Sequence, residues 1–179
     1  MRTRIALSAV VAALALVAVG CGGSDSDDDP TAAWASGFCS AVTSWTDDLQ
    51  TVTSQFSDTS NLSQDGLQSA ADDVKSATEQ LVDDLRGLGA PETESGEEVR
   101  SALDSLSTTL ESEAATIEET VEGISGLTGI PSAITAVTTS LSAMGSAFAS
   151  TLQTIESADT GDELQTALED SPECAGIPS

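Results

Sequence analysis

The clearest helical pattern in the chain is the segment WASGFCSAVTSWTDDLQTVTSQF, residues 34–56. Its large apolar side chains recur at spacings of three and four, and they are Phe38, Val42, Trp45, Leu49, Val52 and Phe56. This spacing places apolar side chains on one face of an α-helix and is typical of a helix that packs against a core. We therefore predict an amphipathic helix over residues 31–57.

The same spacing recurs in three later segments. The second stripe is Leu67, Ala70, Val74, Ala77, Leu81, Leu85 and Leu88. The third is Val99, Leu103, Leu106, Leu110, Ala114, Ile117, Val121 and Ile124. The fourth, which follows Ile130-Pro131, is Ile134, Val137, Leu141, Met144, Phe148, Leu152 and Ile155. We expect the third helix to begin around the acidic run Glu92–Glu98, because the amides at a helix N-terminus favour negative charge.

Beyond Gly161, a short segment with Leu164 and Leu168 predicts one or two further helical turns, with Thr160 and Glu163 spaced as a capping box. No sustained alternation between hairpin turns indicates strands. Since short loops make consecutive helices antiparallel, the predicted fold class is all-α: an up-down-up-down four-helix bundle with a short C-terminal helical segment.

The N-terminus has the composition of a secretory signal. Arg2 and Arg4 precede an apolar run from Ile5 to Val19, and Cys21 follows directly after a small residue. The run has about 15 residues, fewer than the roughly 20 that cross a bilayer as a helix. The predicted organisation is a signal peptide over residues 1–20, a disordered acidic tether over 21–31 and a helical domain over 32–179.

Ala18-Val19-Gly20-Cys21 resembles the lipobox of a bacterial prolipoprotein. The resemblance implies cleavage before Cys21 and attachment of a diacylglycerol to its sulfur. It also implies a location at the cell membrane, on the extracytoplasmic face. The bias toward Ala, Thr, Ser and Asp is similar to that of high-GC Gram-positive bacteria, and halophiles show a comparable bias.

Charge and composition exclude several classes of function. The chain has 30 acidic and 5 basic side chains, a formal net charge of −25 and no His. Nucleic acid is excluded as a partner because phosphate binding requires clustered Lys and Arg. Catalysis by Ser-His-Asp or Cys-His sets and metal sites built on imidazole are excluded as well. We expect no enzymatic activity, no cofactor and no metal site.

Two cysteines remain when Cys21 is assigned to lipid. Cys39 and Cys174 are an even number in an exported chain, which predicts one disulfide. The bond would fasten the C-terminal tail to the first helix. Residues 130–155, in the fourth helix, contain no charged side chain.

Three interpretations of that uncharged helix stay open: a membrane span, a contact surface, or a helix that its neighbours enclose more than the others. Its many hydroxyls argue against the first. Small residues that permit close helix approach support the second, and the candidate interaction surface is Ala143, Gly145, Ser146, Ala147 and Ala149.

Other features have ordinary structural explanations. Ala114 can take the inward position on the third helix and leave Glu113 on the flank, rather than buried as a candidate acid or base. Adjacent acidic pairs such as Asp72-Asp73 point about 100° apart on a helix and predict an acidic surface with at most weak cation binding. Trp34, Phe38, Trp45 and Phe56 form either the core or the wall of an apolar ligand pocket.

Three functions are consistent with this sequence. The first is a lipid-anchored, non-catalytic envelope lipoprotein that binds a protein partner. The second is a carrier that holds a small apolar ligand between helices. The third, a hydrolase based on carboxylates, requires two acidic side chains that converge in a cleft.

Overall fold

Helices account for most of the chain that the structure describes. A computed structural model describes residues 29–55, 63–158 and 161–176. Its five α-helices are α1 (Pro30–Gln55), α2 (Gln64–Leu88), α3 (Gly96–Glu122), α4 (Ile130–Ala158) and α5 (Glu163–Asp170). Two 3₁₀ segments, Leu127–Gly129 and Pro172–Gly176, lie before α4 and after α5. No strand occurs among the described residues, and the predicted all-α bundle with a short C-terminal helix is confirmed.

The start of α1 differs from the prediction. Asp29 Oδ1 accepts hydrogen bonds from the backbone amides of Thr31 at 2.9 Å and Ala32 at 3.4 Å. Asp29 is therefore the N-cap, and Pro30 occupies the first helical position, where its missing amide costs nothing. The predicted tether ended, and the predicted helix began, at Thr31, whereas Asp29 caps α1 and Pro30 is its first residue. The predicted end of this helix at residue 57 lies outside the described residues, as does Thr160 of the predicted capping box.

Consecutive helices pack against each other in chain order. α1 contacts α2, α2 contacts α3, and α3 contacts α4. The backbones of α1 and α4 do not approach closely, and α5 and the 3₁₀ segment Pro172–Gly176 pack on α1 instead. The bundle is thus tightly packed at three helix pairs and wider at the fourth, between α1 and α4.

The predicted apolar stripes of α2 and α3 lie in the core. All seven stripe positions of α2 are buried except Leu88, and the stripe of α3 is buried from Val99 to Val121. Fully burying a Leu or Val side chain stabilises a fold by about 1.5–3 kcal/mol. The prediction for Glu113 is also confirmed: Ala114 is buried, and Glu113 is half-buried on the flank.

The connection between α2 and α3 determines where α3 begins. Gly89, at the end of α2, has φ of 67°, a conformation that glycine adopts without strain. A Cβ on Gly96 would lie 2.1 Å from the carbonyl oxygen of Pro91, so only glycine fits at this close approach. Consequently α3 begins at Gly96, and the acidic run is divided: Glu92 precedes the helix, while Glu97 and Glu98 lie in its first turn.

A disulfide joins the two ends of the described domain. Cys39 in α1 is bonded to Cys174, with a Cα–Cα distance of 5.0 Å across 135 residues of sequence. Thr43 Oγ1 also donates a hydrogen bond to the carbonyl oxygen of Glu173 at 3.4 Å. The predicted bond is confirmed, and it fastens the C-terminal segment to α1.

Candidate interaction surface

The residues of the candidate interaction surface lie on the outer side of α4. Gly145, Ser146 and Ala149 are exposed, while Ala143 and Ala147 are half-buried. A Cβ added at Gly145 would meet no atom within 4 Å. The surface is therefore open among the described residues, and its side chains are too small to hold a neighbouring helix away.

The inward face of α4 is rotated relative to the prediction. Its buried residues are Ile130, Ala133, Val137, Ser140, Met144, Thr151, Ile155 and Ala158. Ile134, Leu141, Phe148 and Leu152 were predicted to point inward, but they are only half-buried. Among the helices, α4 packs most extensively on α3, and its buried residues include the small Ala133 and Ser140, a residue type that permits close helix approach.

The interpretation of α4 as the most enclosed helix is wrong. α2 and α3 each bury nine residues, whereas the longer α4 buries eight. Ile134, Leu141 and Phe148, spaced by seven, form a half-buried apolar flank beside the buried line. We did not predict this flank, although the seven-residue spacing beside Val137, Met144 and Thr151 was a signal that could have revealed it.

Hydroxyl groups cover much of the outer side of α4, and their protons are directed back to the helix. Thr138, Ser142 and Ser146 each donate a hydrogen bond to the carbonyl four residues earlier, at 2.8–2.9 Å. Thr135, Thr139 and Thr154 do the same. These hydroxyls already donate to backbone carbonyls, so a partner that covers them removes no unpaired donor from water, and the free-energy cost is smaller.

Among the described residues, no helix is both long and apolar enough to cross a membrane.

Aromatic rings fill the wider space between α1 and α4. Trp34 stacks on Phe38 with ring centroids 5.4 Å apart, and Phe148 lies 6.4 Å from both Phe38 and Trp45. The indole nitrogens are satisfied inside the fold, since Trp34 Nε1 donates to the Gly89 carbonyl at 3.0 Å and Trp45 Nε1 to Thr78 Oγ1 at 3.4 Å. The three described rings of α1 belong to the core, and Phe56 lies outside the described residues.

The rest of the surface is strongly acidic. The predicted acidic pairs on the described helices are exposed, apart from Glu118, which is half-buried beside Lys75. Lys75 Nζ lies 2.8 Å from Glu118 Oε2, and this hydrogen bond and charge raise the pKa of Lys75. Arg86 Nη2 lies 3.0 Å from Glu111 Oε1. Both ion pairs join α2 to α3, so the charge interactions of the bundle lie away from α4.

The C-terminal segment contains a carboxyl group with a shifted pKa, that of Glu173. The backbone amide of Glu173 and the hydroxyl of Ser171 hold the pKa of Glu173 below its usual value, because both donate to the ionised form. No group of three His, Cys, Asp or Glu side chains suited to a metal ion occurs in the described part of the chain.

The comparisons add no relative. The chain matches no family model, no curated protein and no solved structure. Cys21 and the rest of residues 1–28 lie outside the described residues. The features that bear on function are therefore the sequence of the N-terminus and the surface of the helical domain.

Proposed function

We propose that this protein is a lipid-anchored lipoprotein of the bacterial cell envelope whose α4 face binds an envelope protein. The observation that carries the proposal is the contrast between α4 and the rest of the surface. Residues 130–155 contain no charge, and their outer side chains are small and exposed. In a chain with a net charge of −25, this is the face that a partner can cover without removing ionised groups from water.

The N-terminal pattern supports the anchor. Cleavage before Cys21 removes Arg2 and Arg4 and leaves 3 basic against 30 acidic side chains, a side-chain charge of −27. Such a chain is repelled by an anionic bilayer, so membrane attachment requires another source of affinity. Acyl chains contribute about 0.8 kcal/mol per buried methylene, and two or three chains are enough for stable attachment. The disulfide is consistent with an oxidising, exported location.

The apolar flank of α4 supports the contact surface. Half-buried Leu141 and Phe148 border the small residues around Gly145, so an approaching helix would meet apolar side chains beside an open patch of small ones. Small residues let helix backbones approach closely, and the adjacent apolar area supplies the favourable burial. Acidic side chains on α2 and α3 would repel other acidic proteins and direct association toward α4.

The anchor is tested by metabolic labelling with an alkyne analogue of palmitate. We expect the wild-type protein to carry the label and to fractionate with membranes. The Cys21→Ser variant is expected to lose the label and to enter the soluble fraction. Labelling that persists in Cys21→Ser, or a wild-type chain that never carries label, would contradict the anchor.

The contact surface is tested with a photo-crosslinking residue placed at Ala149 in living cells. A matched control places the same residue at Ala115, which is also an exposed alanine but lies on α3. We expect a discrete crosslinked protein from position 149 and none from position 115. The same product must weaken in the Ser146→Asp variant. Equal crosslinking from both positions, or no product from position 149, would show that α4 is not the contact surface.

A further inference from the structure

A cleft at the C-terminal end of α4 lies apart from the candidate interaction surface. It has a volume of about 330 Å³ and lies between the last turns of α4, helix α5 and the 3₁₀ segment Pro172–Gly176. This volume is at the lower end of the range for small-molecule sites, about 300–1,000 Å³. Ile155, Leu168 and Cys174 supply apolar lining, and Glu156, Gln165 and Glu169 supply polar groups.

Covalent and packing contacts hold the walls of the cleft in place. The disulfide fixes Cys174 to α1, and Leu164 anchors α5 in the core with an exposed fraction of 0%. Ile155, on the opposite wall, is 1% exposed. A site with such walls loses little conformational entropy when it binds a ligand, so even a small ligand can be bound.

The charges around the cleft are negative. Glu156 and Glu169 are exposed, and Gln165 Nε2 donates to Glu169 Oε1 at 2.9 Å, which orients that carboxylate. The basic side chains in the described part of the chain, Lys75, Arg86 and Arg100, all lie on α2 and α3. The cleft thus combines an apolar interior with two carboxylates that no basic side chain of α4, α5 or the C-terminal segment neutralises.

We propose that this cleft binds a small amphiphilic cation, with an aliphatic body on the half-buried Leu168 and Cys174, in front of Ile155, and an ammonium group at the carboxylates of Glu156 and Glu169. An apolar surface alone favours any apolar molecule, and carboxylates alone favour any cation. Their combination selects a molecule with both parts. The net charge of −25 increases the local concentration of cations near the protein. The proposal depends neither on the lipid anchor nor on the α4 contact surface.

The proposal is tested by titrating the disulfide-bonded protein with hexylammonium and following methyl signals by NMR. We expect saturable shifts of the Ile155 and Leu168 methyl groups, while Ile117 in the core of α3 is unaffected. Hexanol and hexanoate, which keep the aliphatic chain without the positive charge, should bind at least about tenfold more weakly, the factor that 1.4 kcal/mol corresponds to. Equal binding of hexanol, or shifts that never saturate, would overturn the proposal.

Two double variants with the same change in charge separate the cleft from diffuse attraction. Glu156→Gln with Glu169→Gln should weaken hexylammonium binding about fivefold, as expected for two partly exposed ion pairs. Glu163→Gln with Asp170→Asn alters exposed carboxyl groups of α5 that do not line the cleft and should change the affinity less than twofold. Equal weakening in both would assign the binding to net charge and refute the site. The comparison of the three hexyl probes on the wild-type protein decides the matter even if a variant is misfolded.

Discussion

α3 and α4 are packed against each other and have nearly the same length, 27 and 29 residues, but their solvent faces are opposite in character. The outer face of α3 carries Glu97, Glu98, Asp104 and Glu111. Residues 130–155 of α4 carry hydroxyls, alanines and a glycine instead. Charged residues therefore have two effects on a helix. In the sequence they indicate which face is exposed to solvent, and in the folded protein their cost of burial opposes any other orientation.

The largest expected effect on stability concerns the disulfide, which fixes the segment that borders the C-terminal end of α4. α3 lies between α2 and α4, whereas the last turns of α4 border a C-terminal segment that the disulfide ties to α1. Replacing Cys39 and Cys174 with Ala should lower the free energy of unfolding by about 4 kcal/mol, because the bond constrains a long loop in the unfolded chain. Urea denaturation measures the loss. Hydrogen exchange should accelerate near Ile155 more than near Leu110, and equal acceleration at both would contradict this view of α4.

The next prediction compares one leucine from each helix. Leu110 in α3 is 0% exposed, and Leu141 in α4 is half-buried. Leu110→Ala should lower the free energy of unfolding by about 3 kcal/mol, since it leaves a cavity in a packed core. Leu141→Ala should cost about 1 kcal/mol because its side chain already contacts water. Similar losses in urea denaturation would mean that the flank of α4 is as enclosed as the stripe of α3.

A pair of serines tests the orientation of α4 more sharply. Ser140 is 5% exposed and Ser142 is exposed. Ser140→Asp should destabilise the protein by about 2 kcal/mol, because it buries a charge without a partner. Ser142→Asp should stay within about 0.5 kcal/mol of the wild type, as is usual for a surface change. Thermal unfolding of both variants at neutral pH makes the comparison, and a loss for Ser140→Asp no larger than that for Ser142→Asp would contradict the inward position of Ser140.

Helix orientation could be predicted from the sequence only where charged residues mark the solvent face. On α2 and α3, charged residues left one apolar face, and the stripes through Leu81 and Leu110 were identified correctly. On α4, the prediction is correct for Val137, Met144 and Ile155, which are buried. The buried line nevertheless prefers the small Ala133 and Ser140 over Leu141 and Phe148, which are half-buried. That preference depends on the shape of the neighbouring helix, which the sequence of α4 does not contain.

The predicted sites show the same limit. The disulfide between Cys39 and Cys174 was predictable because only two cysteines remained after Cys21. The cleft beside Cys174 was not, because Ile155, Leu168 and Glu169 are brought together only by the tertiary packing of three segments. Likewise, the acidic run that includes Asp29 indicates a charged tether, because the sequence alone does not distinguish a solvated carboxylate from one that caps a helix.

The smallest expected effect concerns the acidic side chains of α3 and tests whether one of them, Glu118, stabilises the fold through an ion pair. The hydrogen bond and charge of Glu118 raise the pKa of Lys75 above 10.5 in the folded protein. Its contribution to stability should therefore be fully present below pH 10.5 and be lost as the pH rises through the higher folded pKa. The melting-temperature difference between wild type and Glu118→Gln should shrink over this range. Glu111→Gln is the matched control on α3, because its partner Arg86 carries a guanidinium, a group that remains charged at these pH values. A difference that persists for both variants would show that Lys75 does not mediate the effect of Glu118. If only the Glu118→Gln difference disappears, the ion pair between Lys75 and Glu118 stabilises the contact of α2 with α3. Residues 130–155 of α4 contain no charge and so cannot form such a pair.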